Sequence, residues 1–168
     1  MRNWIGLWAM ALVFPLALFA QNRKFGYVNT AEIIQAMPEI IQAQQTLEQY
    51  AQQLEQQLQA MMEEYEKKLS ELQQNQDVWP DAVKEIKVKE LTDLQMRIQE
   101  FQLKAQENLQ LKQAELMQPI LDKIRSAIQQ VAKERGIDYV FDASSGVLLV
   151  TPPADDLTPY VKQKLGLQ

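Results

Sequence analysis

The sequence contains no cysteine and no histidine, and only five glycines in 168 residues. Without His or Cys it lacks the commonest nucleophiles, general bases and zinc ligands. No catalytic residue, metal site or cofactor is expected, and the chain does not read as an enzyme. Carboxylates are plentiful, but along a helix they ordinarily form a solvated face. The lack of cysteine permits an oxidising compartment without requiring one. Basic runs are missing too: the formal net charge is −5, and no basic stripe of the kind nucleic acid needs is present. No nucleic-acid partner is expected.

What is abundant is helix-forming residues. Glu39 to Gln118 holds no Gly and a single Pro, Pro80, near its midpoint. Leu, Met, Gln, Glu and Lys dominate, all residues that lose little rotamer freedom in a helix. Apolar positions recur at Leu47, Ala51, Leu54, Leu58, Met61, Tyr65, Leu69 and Leu72, in steps of three and four that mark an amphipathic stripe. Asn75 to Asp81 then interrupts it. The residue before a proline is pushed out of the helical region, so Trp79 marks the break. Pro80 is read as the first residue of a new helix, with Val78 and Val83 spaced as a hydrophobic staple. A second stripe follows: Val83, Ile86, Leu91, Leu94, Ile98, Phe101, Ala105, Leu109 and Leu116.

Two stripes of similar length predict an antiparallel helical hairpin over residues 39–118, with its tip near 75–81. At about 1.5 Å per residue it projects on the order of 55 Å. The alternative, one continuous helix bent at Pro80, leaves its apolar stripe wet. The arm carries fifteen acidic residues against eight basic ones, a net −7, with Lys67, Lys68, Lys84, Lys87 and Lys89 gathered toward the tip.

The flanking segments differ in kind. Arg2 followed by the uncharged run Trp4–Ala20 reads as an export signal over residues 1–20, cleaved after Ala20. An uncleaved anchor is the alternative, at the short limit for spanning. Residues 21–38 begin the body: Lys24–Asn29 reads as a strand, and Thr30 as the cap of a short helix with Ile33, Ile34 and Met37 on its apolar side. Pro38 starts the next helix.

Residues 119–168 complete the body. Pro119 is expected to kink the returning limb before a helix over Ile120–Arg135, stopped by Lys133, Arg135 and Gly136. Ile137–Asp142 and Gly146–Val150 predict a β-hairpin around Ala143-Ser144-Ser145. Thr158 as cap and Pro159 at the first helical position start a last short helix with Leu157, Val161 and Leu165 as its apolar side. The fold class is α+β, and the sheet is too small to anchor so long an arm alone. Oligomerisation is inferred, with Val28, Val140, Phe141, Leu148 and Leu149 expected in the shared core.

Three stretches give the chain a family likeness: Phe25-Gly26-Tyr27-Val28-Asn29-Thr30 after a signal, Gly136-Ile137-Asp138-Tyr139-Val140-Phe141-Asp142-Ala143 after the long arm, and Asp156-Leu157-Thr158 before the last helix. In this order they resemble the Skp/OmpH family of periplasmic chaperones. The resemblance implies a homotrimer whose strands join in a central β-barrel, with three helical hairpins around a cavity. It implies ATP-independent binding of unfolded outer-membrane β-barrel proteins, which prevents their aggregation. Candidate client contacts are Met62, Met96, Phe101, Val78 and Trp79, since flexible Met suits promiscuous contact. Met96 and Phe101 read more readily as seam packing, and Trp79 can be a cap on the turn. Family arms are described as basic; this one is acidic, so a lipopolysaccharide site is not carried over. The competing class is a periplasmic coiled-coil scaffold or spacer binding a folded partner, and the Pro80 break with its return to strands argues against a simple rod.

Overall fold

The computed structural model describes residues 23–167. The expected signal at 1–20 lies outside them. The described chain runs β1 (Phe25–Val28), α1 (Thr30–Ala36), α2 (Pro38–Gln74), α3 (Asp81–Arg135), β2 (Tyr139–Asp142) and α4 (Thr158–Lys164), with short 3₁₀ turns at Ala143–Ser145 and Pro153–Asp155. It is an α+β fold, a small sheet bearing a long helical hairpin. Among the described residues no helix is long and apolar enough to cross a membrane.

The sheet has two strands, β1 and β2, paired in parallel from Phe25 opposite Tyr139 to Val28 opposite Asp142. This corrects the expected hairpin. Gly146–Val150 forms no strand, and Val147, Leu149 and Val150 stand in solvent. Its β-branched, apolar content is strand-like, but β2's neighbour is β1, which reaches it from the other end of the chain. On its other side β1 is bridged at Tyr27 by Asp156, and the Leu157 N–H donates to the Tyr27 carbonyl at 2.8 Å. Gly26 faces inward here: a Cβ on it would lie 2.8 Å from Leu157 Cδ1.

One face of the sheet closes a small core. Ile33 and Val161 are fully buried, and Met37, Val28, Leu157, Ile124 and Val131 nearly so. α1 is capped by Asn29, whose side chain accepts from the Glu32 N–H at 3.1 Å, and not by Thr30 as expected. The Thr30 hydroxyl is committed elsewhere, to Asp142. Thr158 likewise does not cap α4; it is the first residue of that helix, buried, and its Oγ1 accepts from the Asn29 N–H at 2.9 Å. Gly136 ends α3 as anticipated, at φ 64°, with the Ile137 N–H returning to the Ala132 carbonyl at 2.9 Å, the pairing of a Schellman stop.

Pro119 does not divide α3, which runs unbroken through it for 55 residues. A proline inside a helix removes one hydrogen bond and crowds the preceding turn. Here Ile120, Ile124, Ala127 and Val131 are all buried in the core just beyond it, and tertiary packing overrides the local preference.

The arm is the antiparallel pair of α2, 37 residues long, and the first part of α3. The turn is where the sequence placed it: Asn75 ends α2, its carbonyl accepting from the Val78 and Trp79 N–H groups at 3.0 Å, and Pro80 precedes α3. Pro80 is thus the residue before the helix rather than its first. Ion pairs tie the limbs at both ends, Glu39 to Lys123 near the body and Lys68 to Glu90, at 3.2 Å, near the tip.

Candidate functional site

A two-helix hairpin has one line of contact, and here it is only partly closed. The α2 stripe from Leu47 to Leu72 is half-buried throughout, as are Ile98, Phe101, Ala105, Leu109 and Leu116 of α3. Only Leu91 and Leu94 are buried along this stretch, with Ala43 buried at its root. Ile86, expected in the second stripe, points into solvent instead.

A second apolar row runs along α3 outside this seam. Val88, Met96, Leu103 and Leu111 are all more than half exposed, Leu103 at 71%. Met96, Leu103 and Leu111 follow one another at seven and eight residues, close to two helical turns, whereas Val88, three residues before buried Leu91, stands at the flank of the seam. Met96, Leu103 and Leu111 each stand two positions beyond a seam residue (Leu94, Phe101 and Leu109) and therefore about 200° around the helix from it. They do not hold the hairpin together. Ile41 and Met62 are the exposed large apolar residues of α2. Of this surface, Met62 and Met96 are candidates on the sequence alone; Val88, Leu103 and Leu111 emerge only from their exposure in the fold.

The other candidates fall in different places. Phe101 is half-buried in the seam. Val78 is 76% exposed at the apex. Trp79 is half-buried, with Lys87 Nζ 5.7 Å from its ring centroid. Lys87 and Lys68 both approach Glu90, at 3.7 and 3.2 Å. The Lys68 hydrogen bond, and then the charges of both lysines, hold the Glu90 carboxyl below its usual range. Lys84 pairs with Asp81 at 2.9 Å. Three of the tip lysines are thus neutralised by neighbours, and a cation over a ring steadies the turn. Met62 borders an open cavity of about 420 Å³ lined by Tyr65, Leu69, Gln95 and Ile98. A smaller cavity of about 210 Å³ lies at the root of the arm between Ile34, Ile40, Ala43, Leu47 and Leu116.

The body presents its own apolar surface. Phe25 stacks on Tyr139, with ring centroids 5.5 Å apart, and on Phe141 at 6.2 Å, and all three are exposed. Of the residues expected in a shared core, Val28 sits in the chain's own core and Val140 and Leu148 are half-buried, while Phe141 and Leu149 are open, Leu149 at 96%. No group of three metal-ligating side chains gathers among the described residues.

Comparison with known proteins follows the same outline. The family model of outer membrane protein (OmpH-like) matches residues 24–165. The chaperone protein Skp of Vibrio cholerae is 27% identical over 154 residues, covering 86% of this chain and 89% of its own length. A crystal structure of an OmpH-like protein of Caulobacter crescentus superposes with a TM-score of 0.73 over 85% of this chain and 83% of that one. At 14% identity, that likeness speaks for the fold. The family match spans nearly all of the described residues, strands, arm and last helix alike, and the protein belongs to the OmpH-like family of outer membrane proteins, a family of non-enzymatic periplasmic chaperones.

Proposed function

We propose that the protein is an ATP-independent holdase of the periplasm, a homotrimer once its signal is removed after Ala20. In this reading residues 21–38 and 119–168 form the body and residues 39–118 the arm. Unfolded outer-membrane β-barrel proteins bind in the space between three arms. The observation that carries this reading is the row Met96, Leu103 and Leu111 on α3. Large apolar side chains repeated along a helix, and not used by its own partner helix, are unexpected on a solvated spacer. They suit weak, repeated contact with the alternating apolar residues of an unfolded strand. Met62 and Val78 extend the same kind of surface to α2 and the tip; Phe101 and Trp79 serve the seam and the turn.

Such contacts are individually small, at about 25 cal/mol for each Å² of apolar surface covered. Their number and adaptability matter more than any single fit. Binding the unfolded client in preference to its compact forms opposes aggregation by mass action, with no energy source. Trimer formation has its own support. The outer edge of β2, the stacked Phe25, Tyr139 and Phe141, and the unpaired segment Val147–Val150 together form a surface that a lone subunit leaves open. Exposed edges of this kind are ordinarily paired or covered.

The test is dilution of a urea-unfolded outer-membrane barrel protein into nucleotide-free buffer, with light scattering followed against the amount of this protein added. Scattering abolished near one trimer per client is expected. Unchanged scattering at several-fold excess sinks the holdase reading and favours a scaffold that binds a folded partner.

A further inference from the structure

After β2 the chain leaves the sheet, and it returns only at Asp156, beside Tyr27. Between these points lies Gly146-Val147-Leu148-Leu149-Val150-Thr151, the most exposed apolar stretch of the body. Among the described residues no backbone-to-backbone hydrogen bond holds 147–150 to the rest of the chain. An apolar loop without internal bonds would be expected to fold back on the core. Its ends explain why it does not.

The first end is held by Asp142. Its carboxylate accepts from the Thr30 hydroxyl at 2.6 Å, the Thr30 N–H at 3.3 Å, the Ser144 N–H at 2.9 Å and the Ser144 hydroxyl at 2.7 Å. The Ser145 hydroxyl donates to the Asp142 carbonyl at 2.7 Å, and Gly146, at φ 73°, reverses the chain immediately afterwards. A positive φ of this kind suits glycine. Burial pushes the Asp142 carboxyl up, but the hydrogen bonds from Thr30 and Ser144 outweigh it and hold the group below its ordinary value. The other end is tied where the Tyr27 hydroxyl donates to the Thr151 carbonyl at 3.3 Å. α1 already has its cap in Asn29, so the bonds from Thr30 to Asp142 are not needed to start that helix. Their distinct effect is to lock the exit of β2 to the body and fix the direction in which the loop leaves.

We propose that Asp142, clasped by Thr30 and Ser144, is a positioning residue for subunit assembly: it aims the unpaired Val147–Val150 segment at a second copy of this chain. The proposal rests on the oligomer reading above. A second copy is the fitting occupant because each chain carries both halves of what is missing: an apolar segment and an edge of β2 that, among the described residues, have no backbone partner. Strand addition of this kind draws its affinity from main-chain hydrogen bonds, which require the incoming segment to be held extended and in register. A pre-aimed loop gives up less freedom on pairing.

The experiment is sedimentation analysis over a concentration series with the protein purified after export, comparing wild type, Asp142→Asn, Leu149→Ala and the double variant. Far-UV circular dichroism monitors the arm. Asparagine keeps the shape but turns one acceptor oxygen into a donor, so association is expected to weaken about tenfold or more, because hydrogen bonds to a charged group are among the stronger ones. Leu149→Ala is expected to weaken association as well. The decisive readout is the double variant: if Asp142 acts by presenting the segment, the two effects overlap and the double is scarcely worse than the weaker-associating single. Unchanged association in Asp142→Asn, no effect of Leu149→Ala, or fully additive effects would overturn the proposal while wild type still assembles. A wild type that stays monomeric at every concentration overturns the oligomer reading and this proposal with it. If Asp142→Asn fails to fold, Thr30→Val, which removes one hydroxyl donor at constant volume, decides on the same scale: about threefold weaker association is expected, and none overturns the proposal.

Discussion

The body and the arm of this molecule solve the same problem in opposite ways. In the body a few short elements close completely over Ile33, Met37, Val28 and Val161, none more than 2% exposed. In the arm, two helices several times longer bury Leu91 and Leu94 and, at the root beside the body, Ala43, leaving the rest of their contact half-open. A core closed on all sides needs layers meeting from several directions, and the body has them in its sheet, α1, α4 and the end of α3. Two helices meeting along a line cannot exclude water from both flanks of the seam. The lesson is a division of labour. The body is cohesive and can hold a geometry, whereas the arm is marginal, deformable and rich in uncommitted apolar surface.

The contrast is sharpest in truncation experiments. Ile33→Ala is expected to destabilise by about 3 kcal/mol, as for deletion of a fully buried Ile. Leu58→Ala, in the half-open seam, is expected to lose about 1 kcal/mol or less, since much of its side chain never left water. Urea titration of the two variants measures both, and equal losses would erase the distinction between the regions. Gly26→Ala tests the closeness of the body from the other direction. Its new methyl would meet Leu157 Cδ1 at 2.8 Å, and overpacking of this kind is expected to cost about 1–3 kcal/mol in the same titration.

A smaller effect follows from pH. The folded-state pKa of Asp142 is lowered, so its contribution to stability is fully present above the unfolded value, about 3.9, and is lost as pH falls through the folded value. The stability gap between wild type and Asp142→Asn should therefore be largest near neutrality and close under acid, as thermal melts at stepped pH would reveal. Smallest is the tip. Lys68→Ala breaks the pair with Glu90, but both groups are solvated, and exposed ion pairs contribute little. A barely detectable shift in melting temperature, vanishing at high salt, is expected. A large one would mean the tip is more cohesive than the rest of the arm.

How much of this could be read from the chain alone varies with the range of the interaction. The hairpin, its turn before Pro80 and the stop at Gly136 were legible, because helix periodicity, proline geometry and αL glycine act within a few residues. The failures lie where a distant residue decides. Thr30 and Asn29 are both good caps, and only the arrival of Asp142 from more than a hundred positions away diverts the Thr30 hydroxyl. Gly146–Val150 has strand composition, but composition does not say whether a partner exists in the same chain. Pro119 reads as the point where the arm gives way to a separate helical segment, but with Ile120 and Ile124 buried just beyond it a single helix runs on through the proline. The outward row was missed for a different reason. Leu103 and Leu111 are good helix formers and draw no notice once a seam has been assigned. Their recurrence two positions after seam residues was the available signal.

Client binding in the proposed function falls on that row. The most direct test replaces Met96, Leu103 and Leu111 together by Gln, a residue already common on this arm, and measures suppression of light scattering from a urea-unfolded outer-membrane barrel protein. The replacements are exposed and keep helix propensity, so helix content and urea midpoint should scarcely move. If the row holds clients, the triple variant needs several-fold more protein for the same suppression as wild type. Suppression identical to wild type, at unchanged helicity, would contradict the assignment of the client surface to α3.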